Sequence, residues 1–433
     1  MIYLLYILIS GLFVLDWLFF RYGIGVRPLT WIPEFISIIV AVSIPFKTAI
    51  TKQIKLPFKY SLLLTIYLAH LIIGIWLNDV NGWVILAGLR IYTKFLPIFL
   101  LPIIFSFTEH DFKKLILFVF VLAMVQFPVV LWQRFVKYSA SLSGDPMGGT
   151  LGYSTSGVLA IFLLVVISFL IAFYFKEKIS LPVFLLSLTA AFIPITLNET
   201  KISFVLLPIA FIFPALFIKA KRESIFRTLL VMIIFFSSVF VLKNIYDYFQ
   251  QKRWGYGIET FVAMPGRLDE YSRTRLNPIK YSFTKALNGP IFMFFGHGVG
   301  NVSQGFTRKL NGKYVEQAYY YGVYRVSFTL MMWEIGIIGT ILFFSFPLLI
   351  FLDALGLCKE EGLTGAFALG MLSFVIFFVL STFYTTTLDT NVLMYLFFLS
   401  GGYIASQHHI NDKKEQTLSE NENAMRIRNI AAA

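Results

Sequence analysis

Cysteine, histidine and charge are all scarce in this chain. One cysteine among 433 residues, Cys358, excludes an intrachain disulfide and any thiolate-built metal or iron–sulfur site. The histidines, His70, His110, His297, His408 and His409, are scattered, and the adjacent pair lies in a polar tail. The sequence therefore indicates no metal and no cofactor. Charged residues make up 14% of the chain, against about 25% in a soluble domain. Hydrophobic residues fill the difference at 58%, with 18% aromatic and a mean hydropathy of +0.77. Too little polar surface remains to coat a water-soluble body of this size, so the composition reads as an integral membrane protein.

Lys and Arg exceed Asp and Glu by 36 − 23 = 13. In a membrane protein such an excess belongs to the cytoplasmic loops. No basic run is interleaved with exposed aromatics, which excludes nucleic acid as a partner.

A hydrocarbon layer of about 30 Å needs about 20 apolar residues of helix. Runs of that kind predict an all-α polytopic fold of about twelve transmembrane helices, near 1–20, 30–46, 58–77, 83–106, 114–136, 151–175, 180–197, 202–219, 225–243, 326–352, 363–383 and 391–406. Pro182 and Pro194 predict a kinked or tilted span over 180–197. The first run lacks a basic leader and a small-residue cleavage site, so it reads as a retained span. Four regions follow: helices one to nine over 1–243, a large periplasmic loop with amphipathic helices over 244–325, helices ten to twelve over 326–406, and a disordered cytoplasmic tail over 407–433.

With the N-terminus inside, the inner loops hold Lys47, Lys52, Lys55, Lys59, Lys113, Lys114, Lys176, Lys178, Lys219, Lys221, Arg222, Arg227 and Lys359. The short outer loops hold Arg21, Arg27, Lys137 and Lys201. The bias puts both termini in the cytoplasm. The long loop escapes this rule. It carries Lys252, Arg253, Arg267, Arg273, Arg275, Lys280, Lys285, Arg308, Lys309, Lys313 and Arg325 against few acids, an excess that calls for an anionic partner on the outer side.

Within that loop, residues 266–289 place Leu268, Tyr271, Leu276, Ile279, Phe283 and Leu287 at helical spacing. This is an amphipathic helix, bent or restarted at Pro278 and laid on the membrane or over a cavity. Arg267, with Arg273 or Arg275, offers guanidinium forks to a phosphate; the plainer alternative is an anchor to anionic lipid. FFGHGVGN (294–301) lets the backbone turn tightly at Gly296, Gly298 and Gly300. His297 inside it is a general-base candidate or an ordinary exposed loop histidine. Glu334 lies inside the span that Arg325 opens; the bland reading pairs it with Arg90 or Lys94, four residues apart on one helix face. Lys201, in the polar break NETK (198–201), meets a phosphate or snorkels to the interface.

The succession GTLGYSTSG (149–157), NETKIS, a large outer loop with GRLDEY and GHGVGN, and then WEIGIIG resembles the O-antigen ligase/polymerase family of bacterial membrane glycosyltransferases, over roughly residues 145–345. The resemblance implies a metal-independent enzyme of the inner membrane, acting at the periplasmic face. Its donor would be a glycan carried on undecaprenyl pyrophosphate and its acceptor another glycan or a lipid-linked molecule, with membrane lipids and a chain-length regulator as further partners. By position, Arg267 and Tyr271 match the family's loop-helix Arg and aromatic, Gly296, Gly298 and Gly300 its glycine turn, and Glu334, Gly336 and Gly339 its Glu-x-Gly-x-x-Gly. Two positions depart: Lys201 stands where the family often has Arg, and Arg325 where it often has His.

On this reading Arg267, Arg325 and Lys201, assisted by Arg273 or Arg275, stabilise a departing pyrophosphate. His297, Glu316, Asp269 and Glu270 are candidates for the base. Direct attack inverts the anomeric carbon. The missing His tilts the reading towards an O-antigen or polysaccharide polymerase over a ligase that transfers glycan to a lipid A-core acceptor. A lipid-linked glycan flippase or transporter, and a non-catalytic scaffold of an envelope assembly, are the other classes.

Overall fold

The computed structural model describes residues 1–22, 31–52, 56–139, 141, 144–218, 222–254, 276–305 and 310–432. Among them there is no strand. The helices are α1 Ile2–Tyr22, α2 Ile32–Thr51, α3 Phe58–Leu77, α4 Gly82–Thr93, α5 Leu96–Phe105, α6 Glu109–Trp132, α7 Ser156–Phe175, α8 Leu181–Leu197, α9 Ile202–Leu216, α10 Arg222–Trp254, α11 Leu276–Tyr281, α12 Pro290–Phe295, α13 Val315–Tyr320, α14 Ser327–Leu357, α15 Leu363–Tyr384 and α16 Asn391–Ala432. Seven of the described helices are long and apolar enough to cross a membrane.

The run read as one span over 83–106 is broken: α4 and α5 meet at 50°. Pro97, in the first turn of α5, has no N–H for the Thr93 carbonyl and crowds it, which ends the first helix. Hydropathy averaged over the run does not register such a break. The short span with two prolines is α8, which starts with Pro182 in its first turn and carries Pro194 inside. The polar tail continues α16 to Ala432; Lys, Glu and Gln in NDKKEQ are good helix formers.

Position in the bundle follows from which faces are apolar. α7 is hydrophobic all round and its apolar window is 100% buried, whereas α2 and α6 bury only 17% and 22% of theirs. α7 is thus the central post, packed by α8, α9 and α15, while α2 and α6 face outward. α14 joins the halves by packing on α3, α12, α15 and α16.

The two ends differ. At one, Lys59 pairs with the buried Asp353, Arg227 lies 2.8 Å from Glu177, and Lys176 donates to the Glu360 carbonyl at 2.7 Å. The other end gathers residues 31–37, 78–94, 144–157, 198–200, 296–305, 310–327 and 384–391. Ser327 N–H donates to the Thr385 carbonyl at 3.1 Å, Asn78 Nδ2 to the Gly296 carbonyl at 3.2 Å, and a Cβ on Gly144 would strike the Asn198 backbone. This loop-rich end holds the polar sites.

Candidate functional site

The break after α4 creates a site. Lys94 stands at it and is 7% exposed. Its carbonyl, free of the helix ladder, accepts from Ser37 Oγ of α2. Its Nζ donates to Asn391 Oδ1 at 2.7 Å, and Asn391 Nδ2 donates to Glu34 Oε1 at 3.2 Å. Arg90, one turn earlier on α4, lies 3.8 Å from the same carboxylate oxygen. Three segments remote in sequence thus form one relay, Lys94–Asn391–Glu34–Arg90.

Beside it lies a cavity of about 350 Å³, lined by Trp31, Glu34, Phe35, Ser37, Ile38, Leu86, Leu89, Arg90, Thr93 and Lys94. Phe35, Ile38 and Leu86 are 52%, 58% and 62% exposed, so the walls belong to the outward, apolar surface of α2 and α4. Two cations and one carboxylate therefore share a cavity that is bordered by exposed apolar side chains.

The second polar element is the glycine turn. Gly296, Gly298 and Gly300 have φ of +69°, +87° and +89°. The turn is wedged between α3, α4 and α14: His297 N–H donates to the Trp333 carbonyl at 2.7 Å and Gly298 N–H to the Glu334 carbonyl at 3.1 Å. α14 accommodates it by breaking its own helix at Gly336, with φ of 65° and ψ of −170°. A Cβ there would lie 2.6 Å from Gly296 N, so only glycine fits. Glu334 is fully buried, and its Oε1 accepts from Val302 N–H at 3.1 Å. The pairing of Glu334 with Arg90 or Lys94 expected from the sequence is not formed: Glu334 caps the glycine turn, Arg90 lies against Glu34 and Lys94 donates to Asn391.

The third element unites the two other motifs. A π-helical turn, Gln133–Lys137, carries Arg134, which is 6% exposed. Its guanidinium lies 3.1 Å from Glu199 and 3.8 Å above the Phe249 ring. Glu199 adopts a left-handed φ of 53°. Gln133 brackets Gly149, accepting from its N–H at 2.9 Å and donating to its carbonyl at 2.8 Å. Gln126 accepts from Thr150 N–H at 2.9 Å. GTLG and NET are thereby held in one buried corner.

The other predicted residues are dispersed. Lys201 is exposed at the start of α9, Glu316 in the first turn of α13, and Arg325 at the end of a 3-10 turn. His297 is 7% exposed and walled by Phe292, Tyr314 and Trp333, with ring centroids at 4.7, 4.4 and 5.7 Å. It is neither an open loop histidine nor a residue lining the cavity. Nearby, Tyr281 stacks on Tyr321 at 3.5 Å, and burial together with that neighbour pushes its hydroxyl up to about 12. Arg267, Asp269, Glu270, Tyr271, Arg273 and Arg275 lie outside the described residues.

Sequence reasoning missed Glu34, Arg134 and Asn391. The first two carried a signal: each is a charge inside a predicted span, the rule that found Glu334. Asn391 carried none, because an uncharged amide at a helix start is ordinary. No group of three or more His, Cys, Asp or Glu side chains suited to a metal stands together among the described residues.

No family model matches this chain, and no curated protein is similar to it.

Proposed function

We propose that the chain is a glycosyltransferase of the bacterial inner membrane that transfers or polymerises an oligosaccharide carried on undecaprenyl pyrophosphate, in the manner of an O-antigen or polysaccharide polymerase. The observation that carries this reading is the cavity of Arg90, Lys94 and Glu34, bordered by exposed apolar side chains. A polyprenyl diphosphate has the same two-part chemistry: its chain stays in the hydrocarbon while its headgroup needs cations. The order of sequence motifs adds support, since GTLG meets NET in one corner and GHGVGN meets WEIG in the other. The basic groups Lys59, Lys176 and Arg227 gather at the opposite end, which under the positive-inside rule supports a periplasmic cavity.

In this reaction the acceptor hydroxyl oxygen bonds to the anomeric carbon as the bond from that carbon to the phosphate oxygen breaks. The electron pair leaves with the diphosphate, and the carbon inverts. Arg90 and Lys94 act on the developing charge, which they meet already ordered by Glu34 and Asn391, in a setting where little water competes. Arg supplies a planar fork and Lys a point charge, a combination suited to two linked phosphates.

The test uses full-length chain in nanodiscs, given the undecaprenyl-pyrophosphate-linked glycan extracted from cells that lack it. Release of undecaprenyl pyrophosphate with growth of the glycan is expected. Passage of intact donor between leaflets without release would identify a flippase and overturn the assignment.

A further inference from the structure

We infer that Glu34 is the general base of the proposed glycosyl transfer; the inference rests on that reading and assigns the proton, which the sequence left among four candidates. His297 is enclosed by Phe292, Tyr314 and Trp333. Glu316 is exposed on α13 and lines no part of the cavity. Of the other buried carboxylates at this end, Glu199 is bound to Arg134 and Glu334 caps the glycine turn. Among the described residues, Glu34 is the one carboxylate that lines the cavity.

Its two oxygens differ. Oε1 receives the Asn391 amide and faces Arg90. Oε2 is shielded from water and makes no hydrogen bond, which is costly for a carboxylate oxygen unless it has a task. The side chain lines the same cavity as Arg90 and Lys94, the cations that would hold the leaving diphosphate. An acceptor hydroxyl docked there meets its base and the electrophile's leaving group in one chamber.

The step balances as follows. The acceptor O–H proton passes to the Glu34 carboxylate, the oxygen forms its bond to the anomeric carbon, and the carbon–oxygen bond to the diphosphate breaks. The anion departs onto Arg90 and Lys94, and the proton on Glu34 returns to solvent or to the diphosphate. The groups that face Glu34 and set its charge balance are Arg90 and Lys94 from α4, Tyr395 from α16 and, through Lys94, Asp389 from the turn before α16.

The experiment compares wild type with Glu34→Gln and Glu34→Asp, full-length in nanodiscs, on the glycan donor described above. Glu34→Gln keeps the shape and the acceptor for Asn391 but cannot take a proton. Its kcat should fall by about 10²–10⁴-fold, with KM for the donor within a few-fold of wild type. Glu34→Asp, which keeps the carboxylate, should retain more activity than Glu34→Gln. Wild-type kcat in Glu34→Gln overturns the inference and leaves the proposed function standing, as does a loss confined to KM, which would make Glu34 a positioning residue for Arg90. If wild type itself releases no undecaprenyl pyrophosphate, the proposed function fails first and the base with it.

Discussion

Glu334 Oε1 accepts the Val302 N–H at 3.1 Å, joining the middle of α14 to the loop that follows the glycine turn. The bond is buried at both ends, so removing the acceptor leaves a backbone donor unsatisfied. Glu334→Ala should lower stability by about 1–3 kcal/mol, read as an earlier thermal unfolding transition in detergent. Glu334→Gln, which keeps an acceptor, should lose less.

At the helix break above it, Gly336→Ala should be worse. The φ of 65° with ψ of −170° belongs to a region essentially reserved for glycine, at a cost of about 1–3 kcal/mol for any other residue. The methyl would also meet the Phe294 and Gly296 backbone. The expected outcome is little folded protein by size-exclusion chromatography, and a fully folded, wild-type-stable variant would refute the account.

Arg134 and Glu199 form a buried pair at 3.1 Å. Taking away one partner strands the other, so Arg134→Met should destabilise by about 3–5 kcal/mol. The double variant Arg134→Met with Glu199→Gln should recover most of that loss. A thermal-shift double-mutant cycle checks both statements, and additive losses would show the pair to be uncoupled.

Lys94→Met preserves the length of the side chain and removes its charge. On the proposed function its turnover should fall by about 10²–10³-fold, while the donor-independent unfolding temperature moves little, because an apolar group suits a 7% exposed position. Retained turnover would remove Lys94 from the site.

Sidedness has a direct readout. On a Cys358→Ser background, Lys201→Cys and Lys359→Cys place single thiols at exposed positions of opposite ends. In intact spheroplasts a membrane-impermeant maleimide should label the first and spare the second. The reverse pattern would put the cavity on the cytoplasmic face.

Composition and run length made the all-helical class legible, because each long apolar helix is encoded within one stretch of chain. The site was less so, for a physical reason visible in Arg90. Its charge inside a span signalled a partner, but the nearest acid in the motif-bearing segments, Glu334, was the natural guess. The true partner is Glu34, which tertiary packing of α2 on α5 decides. Pro97 was in plain view, yet its effect is a missing N–H for the Thr93 carbonyl, and hydropathy does not see donors. Arg134, a charge inside a predicted span, signalled a partner in the same way, but only the packing of Glu199 and Phe249 around it says which.

The exposed apolar border at Phe35, Ile38 and Leu86 has a kinetic consequence. A reactant tethered by a long hydrocarbon tail finds such a border by sliding within a sheet, so encounter scales with molecules per unit area of membrane and hardly at all with the volume of the surrounding medium. Diluting vesicles with buffer should then leave turnover per vesicle unchanged, whereas spreading the same donor over added blank lipid should slow it in proportion.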